Sequence, residues 1–430
     1  MTMKTLLKNA RILSMRDENI TKGDVVIEDN RILYVGNDSS KYAPFDLTRD
    51  IKGNLLMPSF KNAHTHSAMT FLRSKTDDYN LQDWLFKVVL PREDHLTPEY
   101  VYKFAKVAYL EYLTSGISAC FDQYYFPLDS KRAAQEMGMR IVLLGTYNSL
   151  YGKEDLKKLY HDINDVDGLA KYHFGIHAEY TCPDDELEIM NQIVHEEKVP
   201  FFTHISETEK EVKECYERHG MSPVAFLAKK GVYDYGGGGY HCVWFDDNDI
   251  EIFKKYNLTV VTCPGSNTKL ASGIAPICKY LKEGINVAIG TDGPASNNSL
   301  VMFKEMTLLY ALQKVSLKDP TALPAFEILK MATVNGAKAM GLKDLDYLEK
   351  GKLADIIEID LTRPNMQPIN NIVNNIVFSG SKENIKMTMI NGRILYADGQ
   401  FLLDEPIEKI YKECEEASLE IENKFQKAQQ

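Results

Sequence analysis

No two cysteines in this chain form a C-x-x-C pair. The seven thiols, at 120, 182, 215, 242, 263, 278 and 414, are scattered singly. That speaks against a structural zinc site and a disulfide framework, and suits a reducing cytoplasm. No apolar run reaches ~18 residues, so no membrane-spanning helix is expected. Residues 1–8 hold no apolar stretch of the kind a secretory signal needs. Lys/Arg clusters are missing too, and the net charge is −11. A nucleic-acid surface, which needs a basic face, is therefore not expected. Repeats and low-complexity segments are also absent. What is present is an ordinary globular balance, 44% hydrophobic and 26% charged. The 430 residues suffice for one large domain with an appendage, or for two domains.

The chain ends read as short strands. Leu6–Met15 alternates loosely, Val25–Ile27 is β-branched, and Asn30–Gly36 follows. The same style returns in 354–360 and 387–399, where Ile390–Tyr396 echoes Asn9–Leu13. Two half-sets of strands at opposite ends predict one small β domain closed by both termini. Between them, short β runs alternate with helical periods such as Pro98–Thr114 and Asp184–Glu197. Eight candidate strands stand out: 55–58, 117–122, 140–146, 172–177, 200–204, 238–242, 258–263 and 287–292. Eight such units predict a (β/α)8 barrel, with a doubly wound sheet as the alternative. The tail 405–430 reads as a charged helix with a solvated face. The run Gly236–Gly239 is an odd start for a strand and suggests close packing or a bulge.

Ligand-type residues gather where these runs stop. His64 and His66 follow the first run. Their i, i+2 spacing on a strand points both imidazoles to one face, able to grip one metal ion. His177 ends the fourth run, His204 the fifth, His241 the sixth and Asp292 the eighth. Barrel active sites lie at such strand ends. The other histidines (95, 161, 173, 195, 219) fall mostly in helical or loop stretches. His195-Glu196-Glu197-Lys198-Val199 lacks the second histidine of a zincin helix. Each candidate alone has a plainer reading: a core histidine, a helix cap for Asp292, or a first-turn acid for Glu207 on a helix over 207–219. Their joint placement at strand ends is what weighs against coincidence.

Specific motifs carry a resemblance over essentially the whole chain. They are Met57-Pro58-Ser59-Phe60-Lys61-Asn62-Ala63-His64-Thr65-His66, the segment Trp84–Glu93, His204-Ile205-Ser206-Glu207-Thr208, His241-Cys242-Val243, the segment Gly265–Leu270, and Gly290-Thr291-Asp292-Gly293 running on to Asn298. With these the chain resembles the amidohydrolase superfamily, and within it the 5′-methylthioadenosine/S-adenosylhomocysteine deaminases. The resemblance implies an α/β fold: a TIM-like (β/α)8 catalytic barrel over 58–352, and a small β-sandwich domain with a C-terminal helix from 1–57 and 353–430. It implies one divalent metal held by His64, His66, His204 and Asp292, zinc first, with iron or manganese tolerated by the same donors. It makes Glu207 the proton shuttle, His241 the group that holds the nucleophile or polarises the reacting centre, and Asp292 both ligand and proton acceptor. The fourth run ends in His177 with no lysine to bridge a second metal, so one ion is expected. The cytidine-deaminase signature H-x-E…P-C-x-x-C is missing.

The substrate implied is an adenine nucleoside, converted to its inosine analogue and ammonia. Glu93 matches the carboxylate that accepts both ribose hydroxyls, and His177 the residue on the purine ring. Trp84 and Met69 offer an apolar wall. One departure stands out. Relatives that accept S-adenosylhomocysteine carry an arginine after the third strand, and here 143–150 has none. Lys153, Lys157 and Lys158 are the nearby cations and lack the bidentate fork. That favours 5′-methylthioadenosine, 5′-deoxyadenosine or adenosine. Deamination of a guanine, pterin or triazine is the alternative. No nucleic-acid or membrane partner is expected, and homo-oligomerisation is left open.

Overall fold

The computed structural model describes residues 2–75, 77–147, 150–164 and 168–429. Two sheets organise it. The first joins both ends of the chain. Its strands are β1 (Lys4–Leu13), β2 (Ile20–Glu28), β3 (Arg31–Gly36), β4 (Leu47–Asp50), β5 (Leu55–Pro58), β14 (Ile356–Ile359), β15 (Ile385–Ile390), β16 (Arg393–Ala397) and β17 (Gln400–Phe401). They run in the order β17-β16-β15-β14-β5-β1-β2-β3, with β4 also on β1. The second is an eight-stranded parallel sheet in sequence order: β6 (Phe60–Thr65), β7 (Ile117–Asp122), β8 (Arg140–Gly145), β9 (Ala170–Ala178), β10 (Phe201–Ile205), β11 (Gly237–His241), β12 (Thr259–Thr262) and β13 (Asn286–Ile289). The fold class is thus α/β, a TIM-like barrel beside a β structure built from the two chain ends.

Strand β8 is apolar on both faces. In β8, Val142 and Leu144 join Phe121, Phe202 and Tyr240 in one buried cluster, while Ile141 and Leu143 pack in another. This period-two split puts one set inside the barrel and the other under the helices. The seam between β13 and β6 is stitched just beyond β13. Asp292 N donates to His64 O at 3.0 Å, and Thr291 N to Asn62 Oδ1 at 2.8 Å. That stitch sets Asp292 against the histidine strand.

Three expectations need correcting. Leu55–Pro58 is not the first barrel strand. It pairs with β1 and β14 in the other sheet, and the barrel begins at Phe60. Leu55, Leu56 and Met57 are fully buried on both faces, the signature a barrel strand would also show, so periodicity could not separate the two. His64 consequently lies within the first barrel strand, one residue from its end, rather than after it. The tail is a helix but not a freely solvated one. Ile410, Ala417 and Ile421 are buried along it. The helix expected from Glu207 begins at Glu209, capped by Thr208.

The Gly236–Gly239 run is explained by close approach. A Cβ on Gly237 would stand 1.9 Å from Phe201 O, and one on Gly238 2.4 Å from Thr259 O. The helices used below are α1 (Pro98–Thr114), α2 (Lys153–Asn164), α3 (Asp184–Glu197), α4 (Glu209–His219) and α5 (Ile407–Ala428). Among the described residues, no helix is long and apolar enough to cross a membrane.

Candidate active site

The strand ends bring His64, His66, His204, His241 and Asp292 together, all buried. One ligand atom each from His64, His204, His241 and Asp292 lies within 4.8 Å of every other. His66 stands beside them, its Nε2 3.2 Å from Asp292 Oδ1 and 3.3 Å from His204 Nε2. Asp292 Oδ1 is 3.5 Å from His64 Nε2. Of the four expected ligands, His64, His204 and Asp292 fall within this group and His66 lies beside it, while His241, expected to act on the nucleophile, stands inside it.

The second contacts of these rings define which nitrogen is free. His66 Nδ1 donates to Gln123 O at 2.6 Å, and His204 Nδ1 to His177 O at 2.7 Å. A carbonyl only accepts, so the proton sits on Nδ1 and each Nε2 presents a lone pair inward when the ring is neutral. Two such lone pairs 3.3 Å apart repel unless positive charge lies between them. His64, stacked on Tyr240 at 3.7 Å, has a buried Nε2 with no hydrogen-bond partner. Burial lowers His64 to about 3 and holds His204 well below its ordinary value, so both stay neutral. Burial pushes His66 down as well, but the carboxylate of Asp292 more than offsets it and the net shift is upward. Burial alone would raise Asp292, yet contact with His64 and His66 holds it well below the carboxylate range. Three imidazoles and one ionised carboxylate converging on a point that attracts positive charge fit a divalent cation.

Glu207 lies two residues past β10 and is buried. Its Oε1 accepts from Ser272 Oγ at 2.9 Å, and its Oε2 faces His241 Nε2 at 3.8 Å. Burial raises its pKa above the ordinary carboxyl value. His241 is oriented by its Nδ1, 2.7 Å from Asn267 Oδ1. Several of these residues sit in the left-handed region: Ser206 (φ 50), His241 (φ 68), Cys242 (φ 51) and Asp292 (φ 58). Such φ values are uncommon outside glycine and gather at functional sites. They re-aim side chains from strand direction into the barrel mouth.

A cavity of about 460 Å³ opens above this group. Glu93, His177, Trp84 and Met69 line it together with Glu207, His241 and Asp292. Glu93 is buried, accepts from Tyr124 Oη at 2.6 Å, and is pushed up to about 7 by burial. His177 Nδ1 meets Thr181 Oγ1 at 2.8 Å, and burial lowers the ring to about 4. No lysine or arginine is among the described residues that line the cavity. Lys153 and Lys157 on α2 turn to Glu196 of α3 instead, at 2.5 and 2.8 Å, and Lys158 is exposed. Asn148 and Ser149, within the stretch expected to lack an arginine, lie outside the described residues. Sequence reasoning missed Gln123, Tyr124 and Ser272. Asn267 stood inside a quoted motif but was given no role.

The chain is similar to known proteins over nearly its full length. A family model described as "Amidohydrolase family" matches residues 55–395. The chain is 37% identical to a 5′-deoxyadenosine deaminase of Methanosarcina mazei, over 97% of this chain and 98% of that one. It is 38% identical to a 5-methylthioadenosine/S-adenosylhomocysteine deaminase of Thermoanaerobacter pseudethanolicus, over 91% and 94%. Among solved structures, an adenosine deaminase from Xanthomonas campestris with bound zinc superposes with a TM-score of 0.91 at 26% identity, covering 98% of this chain and 99% of that one.

Proposed function

The chain belongs to the amidohydrolase family, and from that premise we propose that it hydrolytically deaminates adenine nucleosides with uncharged 5′ groups, using one divalent metal, zinc by preference. The products are the inosine analogue and ammonia. The observation that carries this reading is Glu93, a buried carboxylate sharing one cavity with Glu207 and the histidine cluster. A ribose diol supplies two donors to one carboxylate. A free base such as guanine, a pterin or a triazine has no diol to offer it.

His64, His66, His204 and Asp292 would hold the metal. When bound, such an ion acidifies a water and makes it a nucleophile near neutral pH. Glu207 takes a proton from the attacking water and delivers it to the ring nitrogen beside the carbon under attack. Its raised pKa suits a group that must both accept and return a proton. His241, fixed by Asn267, orients the nucleophile through Nε2. Asp292 accepts the second proton and returns it to the amine, which leaves as ammonia. His177 and Trp84 support the purine from the wall.

The cavity's charge sets the 5′ preference. With no cation among the described residues that line it, the carboxylate of S-adenosylhomocysteine would be buried unpaired, which is costly. The test is a panel of adenosines varied at the 5′ position, assayed with zinc-loaded protein. kcat/KM for 5′-methylthioadenosine, 5′-deoxyadenosine or adenosine should exceed that for S-adenosylhomocysteine by roughly tenfold or more. Turnover of free bases alone would overturn the nucleoside reading.

A further inference from the structure

The sequence Thr208-x-x-Glu211 is that of a capping box, in which the acid serves the helix start. Thr208 does cap α4, its Oγ1 accepting from Glu211 N at 3.2 Å. The carboxylate of Glu211 reaches further back. Its Oε1 accepts from Ser206 N at 2.7 Å and its Oε2 from Glu207 N at 2.8 Å. Glu211 is 3% exposed, and no lysine, arginine or histidine pairs with it among the described residues. Burying an unpaired carboxylate is expensive, and the cap already provided by Thr208 does not require it.

What it does hold is the turn between His204 and Glu207. Ser206 stands at φ 50, a strained conformation for a serine. Its carbonyl accepts from Val243 N at 3.1 Å and Trp244 N at 2.9 Å, in the segment that follows His241. The turn is thus gripped on its carbonyl side by the extension of β11 and on its N–H side by Glu211. Ser272 holds Glu207 Oε1. The remaining oxygen is left aimed at His241.

We propose that Glu211 is a positioning residue for the deamination: its carboxylate fixes the backbone of Glu207 so that Oε2 faces the reacting centre. This rests on the deaminase reading above. The test compares Glu211→Gln with Thr208→Ala in zinc-loaded protein, with kcat, KM, bound metal and Tm all measured. Glutamine keeps the shape and one acceptor but turns an amide N–H toward the second backbone N–H. Glu211→Gln should lower kcat by roughly tenfold to a hundredfold, with KM and metal content unchanged. Thr208→Ala, which strips the cap of the same helix, should lower Tm and leave kcat within about twofold. A normal kcat in Glu211→Gln, or an equal fall in Thr208→Ala, overturns the positioning role. If Glu211→Gln does not fold, Glu211→Asp, long enough to hold only one of the two N–H groups, enters the same comparison with the same outcomes. Absence of nucleoside turnover in the wild-type protein would defeat the deaminase reading itself, whereas a normal Glu211→Gln enzyme defeats only the inference about Glu211.

Discussion

Glu207 and Glu93 are both buried carboxyls with raised pKa values, and each makes a separate prediction. Glu207 must be ionised to take a proton, so kcat/KM should fall as the pH drops through its raised pKa, above the ~4.3 of a free glutamate. Glu207→Gln should retain the metal, lose about 10²–10⁴ in kcat and lose this acid limb. A metal-replete variant with near-normal turnover would refute the shuttle role, while His66→Ala should lose metal and activity together. For Glu93 the sign runs through stability. Its folded pKa of about 7 lies above the unfolded value of 4.5, so the folded state binds more protons between those values. Its contribution is complete at low pH and declines as pH rises from about 4.5 to 7. Above that window the ionised carboxylate costs on the order of 3 kcal/mol. Glu93→Gln should therefore melt higher than the wild type at pH 8, show no such gain at pH 4, and bind all nucleosides more weakly. Unchanged melting at both pH values would remove burial as the cause. The convergence of His64, His204, His241 and Asp292 was legible in sequence, because they are ligand types at or beside the ends of β-prone runs. Gln123 and Ser272 were not. Gln123 acts here through its main-chain carbonyl, and Ser272 through a single hydroxyl that only folding brings to Glu207.

Strand β11 shows what an element demands of its residues. Gly238 has an ordinary backbone conformation, yet a Cβ there would meet Thr259 O of the next strand at 2.4 Å. Gly236 is the reverse case, with open space around it but a φ of 85. Gly236→Ala should cost about 1–2 kcal/mol through strain alone. Gly238→Ala must force β12 away and should cost more than about 3 kcal/mol, or prevent folding. Thermal melting of the two variants separates these causes, and equal losses would mean that crowding across β11 and β12 is relieved cheaply. The glycines were legible as an anomaly, and close packing was one of the two readings offered. The assignment of Leu55–Pro58 to the barrel failed for a different reason. A strand buried on both faces reads the same in either sheet, and only pairing decides: Leu55 and Leu56 sit opposite Arg11 and Ile12 of β1. The spans of α1 and α3 were readable because proline and acidic residues open them and their buried positions recur at helical spacing.

At the scale of the whole molecule, the C-terminal helix braces the segment behind one wall of the cavity. Arg92, the neighbour of Glu93, sends Nε and Nη2 to Glu422 of α5 at 3.1 and 3.3 Å, and its guanidinium lies 3.9 Å over the ring of Phe425. Lys75, on the far side of the same segment, meets Ser418 at 3.2 Å and Glu422 at 3.6 Å. The chain between these two anchors contributes Trp84, Leu85 and Phe86 to the cavity wall. One face of α5 therefore clamps the segment that carries Glu93, while Lys412 and Glu416 form an exposed pair on the same helix. A partly buried ion pair with an aromatic ring beneath it is worth on the order of 1 kcal/mol. Arg92→Met should thus raise KM for adenosine about fivefold, because the wall is loosened, and leave kcat and bound metal unchanged, because no group at the reacting centre moves. Glu422→Gln should give the same kind of loss, and the double variant no more than Arg92→Met alone, since both remove one interaction. Lys412→Met, which leaves the clamp intact, should leave KM at its wild-type value. If Arg92→Met instead lowers kcat at constant KM, the helix acts on the chemistry rather than on the wall, and if neither changes, α5 contributes to folding alone.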